Sequence, residues 1–188
     1  IAPKVLDLND AVGGMVNMLR RLVGENIRLA WTPGENLCPV RIDPVQLNQI
    51  LINLCINARD AIRDVGCVTI GTSSAELDEE ACACRKGCVP GRFAVLAVGD
   101  DGCGMDAETR SHLFEPFFTT KAIHKGTGLG LATIHGIVKQ NDGFIEVESE
   151  PGQGSCFRIH LPCHAGDVAE TPAAQPEGVS QGRAETIL

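Results

Sequence analysis

The chain has 188 residues, a formal net charge of -8, 44% hydrophobic and 21% charged residues, 21 Gly, 10 Pro and 9 Cys. That length predicts one domain, or one domain with a tail, able to bury roughly 70% of its unfolded surface, and the acidic balance argues against a nucleic-acid partner. No run approaches the ~18 consecutive apolar residues of a membrane helix and no signal-peptide pattern opens the sequence, so the expectation is a fragment that works in the cytoplasm without membrane contact, whatever anchors its parent protein.

Taken in chain order, residues 9–23 place Val12, Val16, Leu19 and Val23 at helical spacing behind two capping candidates, Asn9 and Asp10. Residues 27–31 alternate as a strand. Asp43-Pro44 is a helix start, a side-chain cap followed by proline at the first helical position. The helix that follows, to about residue 64, carries an apolar face of Val45, Leu47, Ile50, Leu51, Leu54, Ala58 and Ala61. Its other face recurs every three or four residues as Gln46, Gln49, Asn53, Asn57, Asp60 and Asp64. Asn is an indifferent helix former, so two of them one turn apart suggest coordination or hydrogen bonding rather than solvation alone.

Residues 67–75 and 92–99 read as strands, the second apolar enough to be central. Between them, residues 76–91 form an irregular insertion in which Cys82, Cys84 and Cys88 are the candidates for a weak zinc cluster. Paired Cys-x-x-Cys knuckles are absent, and the expectation for all nine cysteines is reduced thiols rather than a disulfide framework. A short helix over 106–113, a long loop over 114–127, a helix over 128–140 and strands over 143–149 and 155–161 follow. From residue 165 the composition turns to Ala, Gly, Pro, Glu and Gln, which reads as linker to about 183.

Three segments carry chemistry. Asp100-Asp101-Gly102-Cys103-Gly104 ends the apolar strand, with a carboxylate able to accept from a base amino group beside glycines that admit a ligand to the backbone. Gly102-x-Gly104-x-x-Ala107 loosely matches a dinucleotide fingerprint, but residues 120–126 put no acidic residue where that motif needs one. Gly126-Thr127-Gly128-Leu129-Gly130 runs straight into a helix, the arrangement of a phosphate cradle. Walker A spacing occurs nowhere. Lys121, His124 and Lys125 precede the cradle as candidate phosphate contacts.

Residues 53–62 (NLCINARDAI), 100–104 (DDGCG), 114–121 (FEPFFTTK), 126–132 (GTGLGLA) and 150–162 (EPGQGSCFRIHLP) together resemble the N, G1, F, G2 and G3 boxes of sensor histidine kinases, over residues 5–162. The resemblance implies the ATP-binding catalytic domain of the GHKL superfamily: an α/β (α+β) two-layer sandwich of the Bergerat type, with a mixed, mostly antiparallel sheet packed on three helices. It implies ATP and Mg²⁺ as cofactors, Asn57 as the Mg²⁺ ligand, Asp100 as the acceptor of the adenine amino group, and Gly102 and Gly104 as the glycines beside the base. Gly126, Thr127, Gly128, Leu129 and Gly130 become the phosphate turn, Lys121 and Lys125 part of an ATP lid, and Ser155 a neighbour of the adenine, with Asn53 and Asp60 in support.

Asn53 holds an amide where gyrase-, MutL- and chaperone-type members carry a water-activating Glu, which disfavours the alternative of an ATP-gated switch. The same resemblance implies a phosphoacceptor His on a dimerisation hairpin of the parent protein; none of His112, His124, His135, His160 and His164 stands in such a context, so the fragment is expected to bind Mg-ATP without phosphorylating itself. Residues 184–188 resemble the opening of a receiver domain, implying a hybrid kinase with a response-regulator receiver fused downstream.

Overall fold

A computed structural model of the chain describes residues 2–83, 88–119 and 127–164. In order they form β1 (Lys4–Leu6), α1 (Leu8–Val23), β2 (Ile27–Thr32), β3 (Val40–Ile42), α2 (Pro44–Ala61), β4 (Gly66–Leu77), α3 (Glu79–Ala83), β5 (Gly91–Asp100), α4 (Ala107–His112), α5 (Gly130–Gln140), β6 (Phe144–Glu150) and β7 (Gly154–Pro162). The expected linker 165–183, the receiver opening 184–188, Cys84, Lys121, His124, Lys125 and Gly126 lie outside the described residues.

The main sheet has the order β2-β4-β5-β7-β6, parallel between β2 and β4 and antiparallel elsewhere, while β1 and β3 pair antiparallel in a small second sheet. This is the expected mixed, mostly antiparallel sheet. Alternation along β5 assigns its two faces. Ala94, Leu96 and Val98 join one core with α1 (Leu8, Val12, Leu19), α2 (Leu47, Ile50, Leu54) and α5 (Ile134, Ile137, Val138). Phe93 and Val95, on the alternate positions, are buried but outside that core, as are Phe144 and Cys82. Phe93 meets Phe144 edge-on at 5.4 Å and His160 stacks on Phe144 at 4.2 Å, so the far face carries a small aromatic layer of its own.

Local physics explains where the elements differ from expectation. The cap of α1 is Asp7, whose side chain accepts from Asn9 N and Asp10 N. Asn9 is spent elsewhere, donating to Gly34 O and accepting from the Thr72 hydroxyl. Helix α2 begins at the Asp43-Pro44 start but stops at Ala61, because Cys103 N donates to Ala61 O and the loop after β5 caps the helix end; Asp64 therefore lies off the helix. The insertion contains a short helix, α3, around Cys82.

The cysteines depart from the reduced expectation. Cys38 pairs with Cys163 and Cys82 with Cys88 as disulfides, leaving Cys55, Cys67, Cys103 and Cys156 as thiols among the described residues. Two sulfurs bonded to each other do not ligate zinc, so Cys82 and Cys88 are not metal ligands in this state; Cys84 lies outside the described residues, among which no group of three metal-ligating side chains occurs. The Cys38–Cys163 bridge spans 125 residues and sits where Val40 pairs with Cys163 and His164 N donates to Pro39 O. A closed loop that long stabilises mainly by restricting the unfolded chain, so Cys163→Ser is expected to lower unfolding stability by about 2–4 kcal/mol. Urea titration of both proteins without reductant measures it, and the gap should close when reductant is added.

Candidate functional site

Two groups of expected site residues meet in the structure, joined by the C-terminal end of α2. The first gathers around Asp100 at the end of β5. Asp100 Oδ1 accepts from Gly102 N at 2.9 Å, and Asp100 pairs with Ser155 across the β5–β7 ladder. Burial pushes the carboxyl above its ordinary range, against the lowering effect of the Gly102 and Ser155 N–H groups, and the Asp101 charge adds to the rise. Ser155 is buried, with its hydroxyl 3.0 Å from that of Ser149. Ser149 donates to Gly154 O and accepts from Met105 N at 2.8 Å, so it joins the loop after β5 to the β6–β7 turn. Sequence reasoning missed Ser149. The one signal for it, a small polar residue paired with Ser155 at the end of a hairpin, appears only once the register is known.

The loop glycines are required by the packing of the chain around them. A Cβ on Gly102 would lie 2.7 Å from Ala61 C and O, and one on Gly104, whose φ is +64°, would run into Glu150 O. Both are required because backbone meets backbone within the protein, which locks the loop onto α2 and the β6–β7 turn. A cleft of about 610 Å³ borders Asp100, Ser149 and Ser155 and is lined as well by Thr69, Gly99, Glu148 and Cys156, which pair across the strands on the sheet face away from α2 and α5. That is within the roughly 300–1,000 Å³ of small-molecule sites. Asn53 and Asn57 do not line it.

The second group lies where α2 meets α5. Asn53 Nδ2 donates to Gly130 O at 3.4 Å, and a Cβ on Gly130 would rest 3.8 Å from Asn53 Cγ. Asn57 follows one turn later on the same face, and Asp60 after it, in contact with the Arg59 guanidinium at 2.9 Å. The α5 N-cap, Leu129, supplies no side-chain hydrogen bond to the first-turn N–H groups. Thr127 Oγ1 accepts from Leu129 N, and Phe117 N donates to Gly128 O at 2.9 Å with both residues in left-handed backbone. Of the residues expected in the phosphate turn, Gly130 meets Asn53 of α2 and Gly128 packs on Phe117, while Gly126, Lys121 and Lys125 fall outside the described residues.

Three histidines have partners in the structure. His112 Nδ1 is 2.8 Å from Glu115, His135 stacks on Phe114 at 5.1 Å, and His160 Nε2 is 2.9 Å from Glu146. Cys55 lies in the core with its thiol pushed up to about 12 by burial, which keeps it protonated and unreactive. Cys103, in the loop after Asp100, is exposed.

Residues 42–165 match the family described as histidine kinase-, DNA gyrase B-, and HSP90-like ATPase. The chain is 41% identical over 162 residues to the sensor kinase CckA of Brucella abortus (strain 2308), an alignment covering 86% of this chain and 17% of that protein. It is 37% identical over 158 residues to the sensor histidine kinase ZraS of Klebsiella oxytoca, covering 84% of this chain and 31% of that protein. The chain thus spans less than a third of the curated relatives it matches. Among solved structures, full-length ShkA in complex with AMPPNP superposes with a TM-score of 0.68 at 25% identity, covering 92% of this chain and 33% of that one.

Because burial raises the Asp100 carboxyl, its ionised form is the costly one in the folded chain; the cost is present above the raised value and relieved as pH falls through it. Asp100→Asn is therefore expected to unfold at a higher denaturant concentration than the unchanged chain at pH 7, with the margin closing on acidification. Chemical denaturation across pH checks this, and a variant less stable at pH 7 would contradict it.

Proposed function

The chain belongs to the histidine kinase-, DNA gyrase B-, and HSP90-like ATPase family, and from that premise we propose that it is the unit of a sensor histidine kinase that binds Mg-ATP and presents the γ-phosphoryl group to a histidine on a dimerisation hairpin of its parent protein. The observation that carries this is the seating of an α5 start without a side-chain cap against the Asn53 amide of α2, with the partly buried Asp100 carboxylate at the other end of the same assembly. Unpaired N–H groups at a helix start attract phosphate. An amide stripe offers oxygen to a hard cation, and a carboxylate in a cleft accepts from an exocyclic amine.

Each residue then has one task. Asp100 accepts from the adenine amino group, and Ser155 with Ser149 holds the strand ends around it. Thr127, Gly128, Leu129 and Gly130 direct N–H groups at the β- and γ-phosphates, joined by Gly126, Lys121 and Lys125 from the lid. Asn57 offers its amide oxygen to Mg²⁺. The donor set supports an ion that arrives with its nucleotide, since one amide is far from a complete cage and phosphates and waters would supply the rest of the octahedron. When bound, the ion neutralises charge on the phosphates. Asn53, bonded to Gly130 O, cannot act as a general base, so the domain positions ATP for an in-line attack by an imidazole rather than by water.

The same reading makes residues 1–164 the catalytic domain, residues 165–183 a linker and residues 184–188 the start of a receiver, with the hairpin and that receiver as partners and the cytoplasm, where ATP is available, as the place of action. No helix among the described residues is long and apolar enough to cross a membrane. The alternative of a gyrase- or MutL-type switch is not favoured, because the matched relatives are sensor kinases.

Calorimetry separates the tasks. Asp100→Ala should weaken ATP binding by about tenfold or more, the cost of roughly one charge-assisted hydrogen bond, with or without Mg²⁺. Asn57→Ala should abolish the gain in affinity that Mg²⁺ confers while leaving metal-free ATP binding close to unchanged. Failure of the unchanged chain to bind ATP would refute the function. With γ-labelled ATP, this chain alone is expected to take up no label, and a hairpin with its acceptor histidine, supplied separately, to become labelled.

A further inference from the structure

A buried amide at the far end of α5 has no task in the function just described. Gln46, in the first turn of α2, is 9% exposed. Its Nε2 donates to Gln140 Oε1 at 3.0 Å, and its Oε1 accepts from Asn141 Nδ2 at 3.1 Å. The same Asn141 Nδ2 donates to Ile137 O at 2.8 Å, so the clasp reaches the α5 backbone. The helix end it grips is well formed: Gly143 N donates to Val138 O, Asp142 N to Lys139 O, and Asp142 takes the left-handed position with φ +56°.

Gln46 and Asn53 stand seven residues apart, two turns, on one face of α2. One binds the last turn of α5 and the other accompanies its first residue, Gly130. Between these points α5 contributes Ile134, Ile137 and Val138 to the core. Hydrophobic burial of that kind is non-directional and names no particular polar partner. The Gln46 amide does name one, because displacement leaves its own buried donor and acceptor without partners, whereas the exposed Gln140 and half-buried Asn141 can turn to water. The apolar residues therefore hold α5 against α2, and the amides define which rotation and which axial register it takes. Register at the last turn is register at the first, because an 11-residue helix is a rod about 16 Å long.

We propose that Gln46 is a positioning residue for the phosphates of the nucleotide: by clasping Gln140 and Asn141 it sets the register of α5 and so the aim of the N–H groups at Gly128, Leu129 and Gly130. This rests on the Mg-ATP function proposed above, and Gln46 does so without touching the nucleotide.

The test compares ligands with and without phosphates, using the full chain. Gln46→Leu keeps the volume and removes both amide bonds. ATP affinity, measured by calorimetry, should fall by about tenfold, the worth of roughly one charge-assisted bond, while adenosine affinity, measured by competition, should stay within about twofold. Gln140→Ala removes one arm of the clasp from an exposed residue, should give a smaller loss in the same direction, and decides the matter if Gln46→Leu does not fold. A parallel loss for ATP and adenosine would reduce Gln46 to a stability role and overturn the proposal, as would unchanged affinity for both. An unchanged chain that binds no ATP overturns the function and the proposal together, whereas normal ATP binding with no effect of either substitution overturns the proposal alone.

Discussion

The burial of α2 between the sheet and its two neighbouring helices is the constraint on which the rest depends. Leu47, Ile50, Leu51 and Cys55 are fully buried and Leu54 and Ala58 nearly so. At about 1.5–3 kcal/mol for each large aliphatic side chain, this one helix supplies a large share of the core. The same helix carries Gln46, Asn53, Asn57 and Asp60, so the polar stripe is rigidly attached to the side chains that hold the fold together. Both ends are pinned. Asp43 accepts from Val45 N and Ala2 N, which hold its carboxyl below the ordinary range, and the loop after β5 closes on Ala61 O.

Where α2 ends, the sheet takes over. Strand β5 delivers Asp100 into a partly buried position, and β7 delivers Ser155 opposite it. Desolvation makes the ionised carboxylate costly there. Ser149 offsets the difficulty of the site by joining the three chain segments around it with one hydroxyl. On the far face of the sheet, Phe93, Phe144 and His160 form a second layer next to the part of the chain that carries the insertion.

The cysteines divide by environment rather than by motif. Cys38 and Cys163 tie the loop before β3 to the end of β7, close to where β1 pairs with β3, so the first and last strands of the described fold converge on one bridged corner. Cys55 is sealed in the core, whereas Cys103 stands exposed on the loop beside Asp100.

Much of this was legible in the order of residues. The Asp43-Pro44 start, the apolar and amide faces of α2, the central strand ending at Asp100 and the glycine turn before α5 are local patterns, and local patterns are set by helix and strand periodicity and by backbone sterics. What the order could not contain is which distant groups each polar side chain would meet. Asn9 reads as a cap and is taken by Thr72 and Gly34; Gln46 reads as one member of a polar stripe and is bonded to Gln140 and Asn141; Gly104 turns out to lie against Glu150 O. Cys38 and Cys163, 125 residues apart, had no signal of pairing at all. By itself the sequence determined the elements, the family and the residue types at the site, because those depend on neighbours a few positions away. The tertiary structure alone decided how the polar groups pair, which glycines are filled by backbone, how α5 is registered on α2 and why Asp100 resists ionisation, because hydrogen bonding and desolvation depend on what the fold brings within 3 or 4 Å, whatever its distance along the chain.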